Sequence, residues 1–201
     1  MPYRPTERTR AHAAAVRERI VAAAVEQLAE GGYASAAVVR VAERAGVATG
    51  TVYRHFPSKG DLFAEVFRRA SQREVDVLAG IAAASAGERL AGMVEAFVRR
   101  ALAAPVRAYA LIAEPVDPAV EAERLVFRRA YADLFAAALR DSELPPVDVD
   151  LAATAIVGAL AEALVGPLAR RQTDPDALVA GLQSFVLSAV RAEEPARADH
   201  R

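Results

Sequence analysis

Apolar positions along this chain recur at helical spacing almost from end to end. Val16, Ile20, Ala24 and Leu28 fall at steps of four and form one stripe of a first helix, which Gly31–Gly32 ends as a C-cap signal. A short helix is predicted over 36–44, where Val38, Val41, Ala42 and Ala45 stand at i, i+3, i+4 and i+7. Gly46 breaks it, because glycine can take the left-handed backbone a tight turn needs. A second short helix, about 49–55, carries TGTVYRH and ends before Pro57. Ser58 and Asp61 then form a capping box ahead of Leu62, Val66 and Phe67, opening a helix that runs to about 79.

Beyond Gly87 the pattern is helix after helix, with segments near 87–103, 105–114, 118–140, 148–169 and 175–192. Asp117–Pro118 and Asp174–Pro175 each set an N-cap acid before a proline suited to the first helical position. Residues 193–201 are charged, contain Pro195 and read as a frayed tail. Residues 151–169 are mostly apolar and approach the length of a membrane span. Glu162 near their middle opposes insertion by roughly 2.5–3.5 kcal/mol, and Gly166–Pro167 interrupts the end. A helix apolar nearly all round is otherwise buried in protein, so no membrane association is expected.

Composition fixes the class as all-α. Ala supplies 49 of 201 residues and aromatics only 6%, and Ala is the strongest helix former. The absence of Cys excludes disulfides, thiolate metal sites and cysteine nucleophiles, and suits a cytoplasmic protein. The first twenty residues contain no apolar core of a secretory leader. Twenty-four Arg against one Lys, with no Asn, suggest GC-rich bacterial coding. The net charge of −1 hides an asymmetry: residues 1–60 carry nine basic and five acidic side chains, and the remainder is acidic. A basic amino-terminal third fits a polyanion-binding end, or only a tail solvated by Arg4, Arg8 and Arg10.

The stretch GGYASAAVVRVAERAGVATGTVYRHFPSKGDLF, residues 31–63, carries the chemistry. Ala42 lets two helices approach closely, Gly46 makes the turn and Val52 locks the second helix onto the first. That is the steric recipe of a helix-turn-helix, whose second helix enters the DNA major groove. The run AERAGVATGTVYRHFPSKGDLF resembles the signature of the TetR family of bacterial transcriptional regulators, over about residues 15–65. The resemblance implies a helix-turn-helix domain over 1–60, with an arm at 1–14, and a larger helical domain over 61–201. It places Thr49, Gly50, Thr51, Tyr53, Arg54 and His55 on or beside the DNA-facing side, and Val52 and Phe56 in the core.

Hydroxyls and a His near a helix can bond phosphate oxygens, and Gly50 permits close backbone approach. Lys59 stands where it can grip a phosphate, or is a solvated helix end; His55 is alternatively a surface or packing histidine. Two departures from the family pattern stand out. Ala36 and Ala37 occupy the place of the usual capping Thr, leaving Ser35 as the candidate for that contact. With no Asn, adenine cannot be read through one, so base contacts fall to Arg54, Arg40, the Thr side chains or backbone.

Residues 80–192 hold no catalytic grouping, and no enzyme activity, cofactor or metal is expected. The TetR resemblance implies that this region binds a small-molecule effector and forms a homodimer through about 148–169 and 175–192, on a near-palindromic operator. Phe97, Tyr109, Phe127, Arg128, Tyr131 and Phe135 combine aromatic walls with polar tips as effector candidates, the alternative being ordinary core and a surface charge. The function expected is a repressor released by its effector. A helical binding or interaction module without DNA function is the competing reading.

Overall fold

The computed structural model describes residues 6–141, 148–171 and 173–190. Among them the elements are α1 (Glu7–Ser35), α2 (Val38–Ala45), α3 (Thr49–His55), α4 (Lys59–Ala79), α5 (Ala86–Ala103), α6 (Pro105–Ile112), α7 (Pro118–Arg140), α8 (Val149–Arg170) and α9 (Pro175–Val190). The described residues contain no strand, as the composition requires. Arg4 and the tail 193–201 lie outside the described residues.

Local chemistry explains where the helices begin and end. The expected arm is helical from Glu7, because the Thr6 hydroxyl caps α1 by accepting from the Thr9 amide at 3.3 Å and an alanine-rich run follows. Arg8 and Arg10 are therefore exposed helix residues. The Ser58 cap forms as expected, with the Asp61 amide donating to the Ser58 hydroxyl at 3.0 Å, but the Asp61 carboxylate accepts from that hydroxyl at 2.7 Å rather than from the Ser58 amide of a full capping box. Asp174 caps α9 by accepting from the Asp176 and Ala177 amides at 2.9 and 3.2 Å. Gly166–Pro167 does not end α8, which runs on to Arg170.

The packing divides the chain into two compact units that are not linear halves. The first takes residues up to Gln72 together with Ala104–Leu125; the second takes Arg73–Ala103 and the residues from Val126 onward. Leu62, Phe63, Val66 and Phe67 on α4 belong to the core of the first unit, as do Ala110 on α6 and Val120 on α7. The motif-based cut at 60/61 therefore falls inside a packed region. Val16, Ile20, Ala24 and Leu28 form the buried stripe of α1 in this core, as their spacing predicts.

In the second unit α5 packs on α9 and α8. Its buried residues include Leu90, Met93, Val94 and Val98 from α5, Leu160 and Leu164 from α8 and Val186 from α9. The Gln183 carboxamide donates to the Ala91 carbonyl at 3.0 Å, and Arg99 reaches Asp176 at 2.7 Å, so polar contacts also join α5 to α9.

The end of α1 departs from a simple glycine stop. Gly32 has φ 74° and ψ −174° inside the assigned helix, and one further turn follows it. Gly46, after α2, is left-handed at φ 65° and ψ 41°, as the turn demands. A β-carbon at Gly46 would meet nothing within 4 Å, whereas one at Gly32 would lie 2.8 Å from a Glu114 carboxylate oxygen. Gly46→Ala is expected to cost about 1–2 kcal/mol from backbone strain alone. Gly32→Ala should cost more, about 3 kcal/mol, because the collision adds to a backbone conformation nearly exclusive to glycine. Chemical denaturation of the two variants checks the order.

Candidate nucleic-acid interface

The recognition module is built from α2, the Gly46 turn and α3. In α2, Val38, Val41, Ala42 and Ala45 are buried. The turn closes with the Val47 amide donating to the Ala42 carbonyl at 3.0 Å. Val52 and Phe56 are buried, as expected, and seat α3 in the first unit's core. The opposite face is open: Tyr53 is 47% exposed, Gly50 and Arg54 are exposed, and a β-carbon at Gly50 would meet nothing within 4 Å. Thr49, Thr51 and His55 are half-buried beside it. One Arg54 nitrogen stands 3.5 Å from the Thr51 hydroxyl. Burial, with Arg54 and Arg17 nearby, lowers the His55 pKa and favours the neutral imidazole.

Three other expected contacts are differently engaged. The Ser35 hydroxyl donates to the Gly31 carbonyl at 2.6 Å, and Ala37 caps α2 without a side-chain bond. The Ala37 amide is met instead by the buried Gln27 carboxamide oxygen at 3.2 Å. The exposed Arg40 guanidinium folds onto the Ser35 carbonyl. Lys59 donates to the Tyr33 carbonyl at 3.0 Å and lies 4.2 Å from the Tyr33 ring centroid, a cation–π distance.

A charged network anchors the module. Arg44 on α2 makes paired bonds to Glu30 on α1 at 2.9 and 3.0 Å. Arg17 lies over the Phe56 ring at 4.8 Å and donates to Glu65 on α4 at 3.3 Å. Burial pushes the Glu65 pKa up, but bonds from Arg68, Arg17 and Arg69 outweigh it and hold the carboxyl at about 2. Arg69 continues the network to Glu18 at 2.5 and 2.7 Å.

Among the effector candidates, Phe97 and Tyr131 meet edge to face with centroids 5.6 Å apart. Burial raises the Tyr131 pKa, Glu74 adds to the rise and Arg100 partly offsets it. Phe127 and Phe135 are buried, Arg128 is exposed, and half-buried Tyr109 belongs to the first unit rather than the second. Sequence alone assigned no role to Tyr33, Gln27 or Glu114, and read Asp117 only as the N-cap of α7.

An exposed polar helix face, held on a buried one after a left-handed glycine turn, defines a helix-turn-helix protein. Residues 20–66 match the model for bacterial regulatory proteins of the TetR family. Over 57 residues it is 44% identical to the HTH-type transcriptional repressor KstR of Rhodococcus jostii, covering 28% of this chain and 27% of that protein. The chain thus spans about a quarter of the curated relatives it matches.

Solved structures extend the likeness across the fold. The fatty acid degradation regulator FadR from Bacillus halodurans aligns with TM-score 0.72 and 25% identity, over 89% of this chain and 97% of that one. FadR from Bacillus subtilis, in complex with stearoyl-CoA, aligns with TM-score 0.72 and 22% identity, over 87% and 99% of the two chains.

The Glu65 network has a consequence in acid. A carboxyl held at about 2 when folded contributes stability above its unfolded pKa near 4.5, and loses it as pH falls toward 2. The stability difference between wild type and Glu65→Gln should therefore shrink progressively below pH 4.5. Urea unfolding from pH 7 to pH 2.5 measures it, and a constant difference would contradict the assignment.

Proposed function

We propose that this protein is a dimeric, sequence-specific DNA-binding transcriptional regulator of the bacterial cytoplasm, and a repressor released from a near-palindromic operator by a small-molecule effector. The observation that carries the reading is α3: Val52 and Phe56 inward, Gly50, Tyr53 and Arg54 outward. In this reading Thr49, Thr51, His55 and Lys59 meet phosphates, while Arg54 and Arg40 serve bases or backbone. Ser35 has its hydroxyl engaged with Gly31 and would have to exchange that bond to touch DNA. Residues 1–60 supply the DNA-binding function and 61–201 the effector-binding and dimerisation functions. The role is regulatory rather than enzymatic.

The second unit supports dimerisation by what it leaves uncovered. α8 is long and apolar enough, by length and composition, to cross a membrane, yet only 33% of its most apolar window is buried. Leu151, Ala155, Gly158 and Glu162 share its exposed face; Ala177, Gly181, Ser184, Phe185 and Ser188 share that of α9. β-Carbons at Gly158 and Gly181 would meet nothing within 4 Å, which leaves room for close helix approach. A second copy covers small apolar faces without immersing Glu162 in lipid, so the dimer is favoured over a membrane. Two-fold symmetry would set the recognition helices about 34–36 Å apart, or at a multiple of that spacing.

An effector acts here by its differential affinity for two dimer conformations, only one of which fits the operator. The effector candidates of the second unit include the Phe97–Tyr131 pair, whose rings meet edge to face, and the stearoyl-CoA bound to FadR of B. subtilis makes that molecule the first probe.

Selection from random duplex DNA tests the reading. Wild type should enrich an inverted repeat, and Tyr53→Ala/Arg54→Ala should not. Absence of enrichment from folded, dimeric wild type at low salt would overturn the DNA-binding proposal. Phe185→Glu should shift the protein toward monomer in sedimentation and weaken operator binding with it. Stearoyl-CoA should release the selected operator from wild type; no release by it would exclude long-chain acyl-CoA as the effector class.

A further inference from the structure

Tyr33, beyond the glycine bend of α1, is engaged through every part of the residue that can form a bond. Its amide donates to one carboxylate oxygen of Glu114 at 2.8 Å, and the Ala34 amide donates to the other at 2.8 Å. Its hydroxyl donates to Asp117. Its carbonyl and ring face hold the Lys59 ammonium. The first two partners lie on the α6–α7 turn, and the last opens α4. Asp117 was expected to cap α7; its carboxylate is engaged by Tyr33 instead.

The turn itself is braced. Arg124, whose side chain is only 9% exposed, donates to the Ala110, Leu111 and Glu114 carbonyls at 3.1, 3.0 and 2.7 Å. These are carbonyls that the end of α6 leaves without a continuing helix. Glu114 is itself buried, and a buried carboxylate is tolerated only when its oxygens are bonded. Packing alone needs none of this, since Tyr33 already meets Phe63 and Phe67 edge to face at 5.4 and 6.4 Å.

Lys59 shows what the arrangement can serve. It is the chain's single lysine, half-buried, and no carboxylate of the described residues pairs with it. An ammonium has three donors; the Tyr33 carbonyl takes one, and the others remain for an external anion. Resting on the DNA-binding reading above, we infer that Tyr33 is a positioning residue presenting Lys59 to an operator phosphate, and that Glu114 and Asp117 hold Tyr33 in that place. A shift of the α6–α7 turn then changes DNA affinity through Lys59. α7 starts at this turn and continues to Arg140, so displacement of its first turn acts directly on Tyr33.

The test is affinity for the selected inverted repeat across a range of salt, for wild type, Lys59→Ala, Glu114→Gln, Tyr33→Phe and each of the last two combined with Lys59→Ala. Gln at 114 keeps one acceptor and sets a donor against an amide; Phe at 33 keeps ring and carbonyl and removes only the Asp117 bond. Lys59→Ala should lower the salt slope by about 0.9 per protomer. Glu114→Gln and Tyr33→Phe should weaken binding and lower the slope in the same direction. Once Lys59 is gone, neither should weaken binding further, a non-additivity of about fivefold or more.

Additive losses with an unchanged slope would mean that Tyr33 and Glu114 only stabilise the fold, and would overturn the inference. Should Glu114→Gln lose its helical circular dichroism, the Tyr33→Phe cycle decides alone. Wild type that selects no operator removes the DNA-binding reading itself. Wild type that selects one and behaves additively removes only this inference.

Discussion

A seven-residue helix cannot hold itself together in water. Helix nucleation is unfavourable, and isolated helices of that length are not populated, so α3 exists only because Val52 and Phe56 are drawn into a core supplied by other elements. The functional surface depends on this constraint. Because the inward residues are fixed, the outward direction of Gly50, Tyr53 and Arg54 is fixed too, and the helix can offer a polar face without relying on its own stability. The left-handed Gly46 sets the angle between α2 and α3, the Arg44–Glu30 ion pair ties α2 to α1, and Arg17 lies over the Phe56 ring while pairing with Glu65 on α4.

That dependence explains why the first packing unit recruits distant pieces of chain. α1, α2 and α3 together offer too little apolar surface to enclose such a short helix, so the first half of α4 and the α6–α7 region complete the core. The bend at Gly32 belongs to the same solution. It ends the regular part of α1 where the Tyr33 ring can enter between Phe63 and Phe67, and it exposes two amides that Glu114 then satisfies. An unbonded carboxylate or an unbonded pair of amides there would be costly, so the bend and the acid require each other.

Where a structural rule acts over a few residues, the sequence made it legible. The i, i+3, i+4 spacing of α2, the turn at Gly46, the Ser58 cap and the inward Val52 all follow from neighbours within one or two helical turns. The roles of Tyr33, Glu114 and Asp117 depend on bonds across 81 and 84 residues, and no local pattern encodes such a partner. Asp117 illustrates the ambiguity, since an acid before a proline is a sound N-cap signal and the same carboxylate is equally able to meet a tyrosine hydroxyl. Lys59 is similar: its position suggested a phosphate, while its bond to the Tyr33 carbonyl required three-dimensional proximity. Of the effector candidates, the helical pattern placed all six on helices but did not show that Phe97 meets Tyr131 edge to face or that Phe135 is buried.

The two units solve opposite problems with the same material. In the first, large aromatics close a core around short helices, and α3 turns Gly50, Tyr53 and Arg54 outward. In the second, α8 carries a nearly continuous apolar sequence rich in alanine, and burial against α5 and α9 covers only part of it. Small side chains gain little from partial burial within one chain, but they allow a second helix to approach closely and bury backbone as well as side-chain surface. Leu151 and Phe185, 66% and 53% exposed, are large apolar residues on faces otherwise composed mostly of small ones. An exposed apolar face of this kind marks an interaction surface, and Glu162 on it favours a protein partner over lipid. In the proposed dimer, the apolar face of α8 and the polar face of α3 would serve two different partners, a second copy of the chain and DNA.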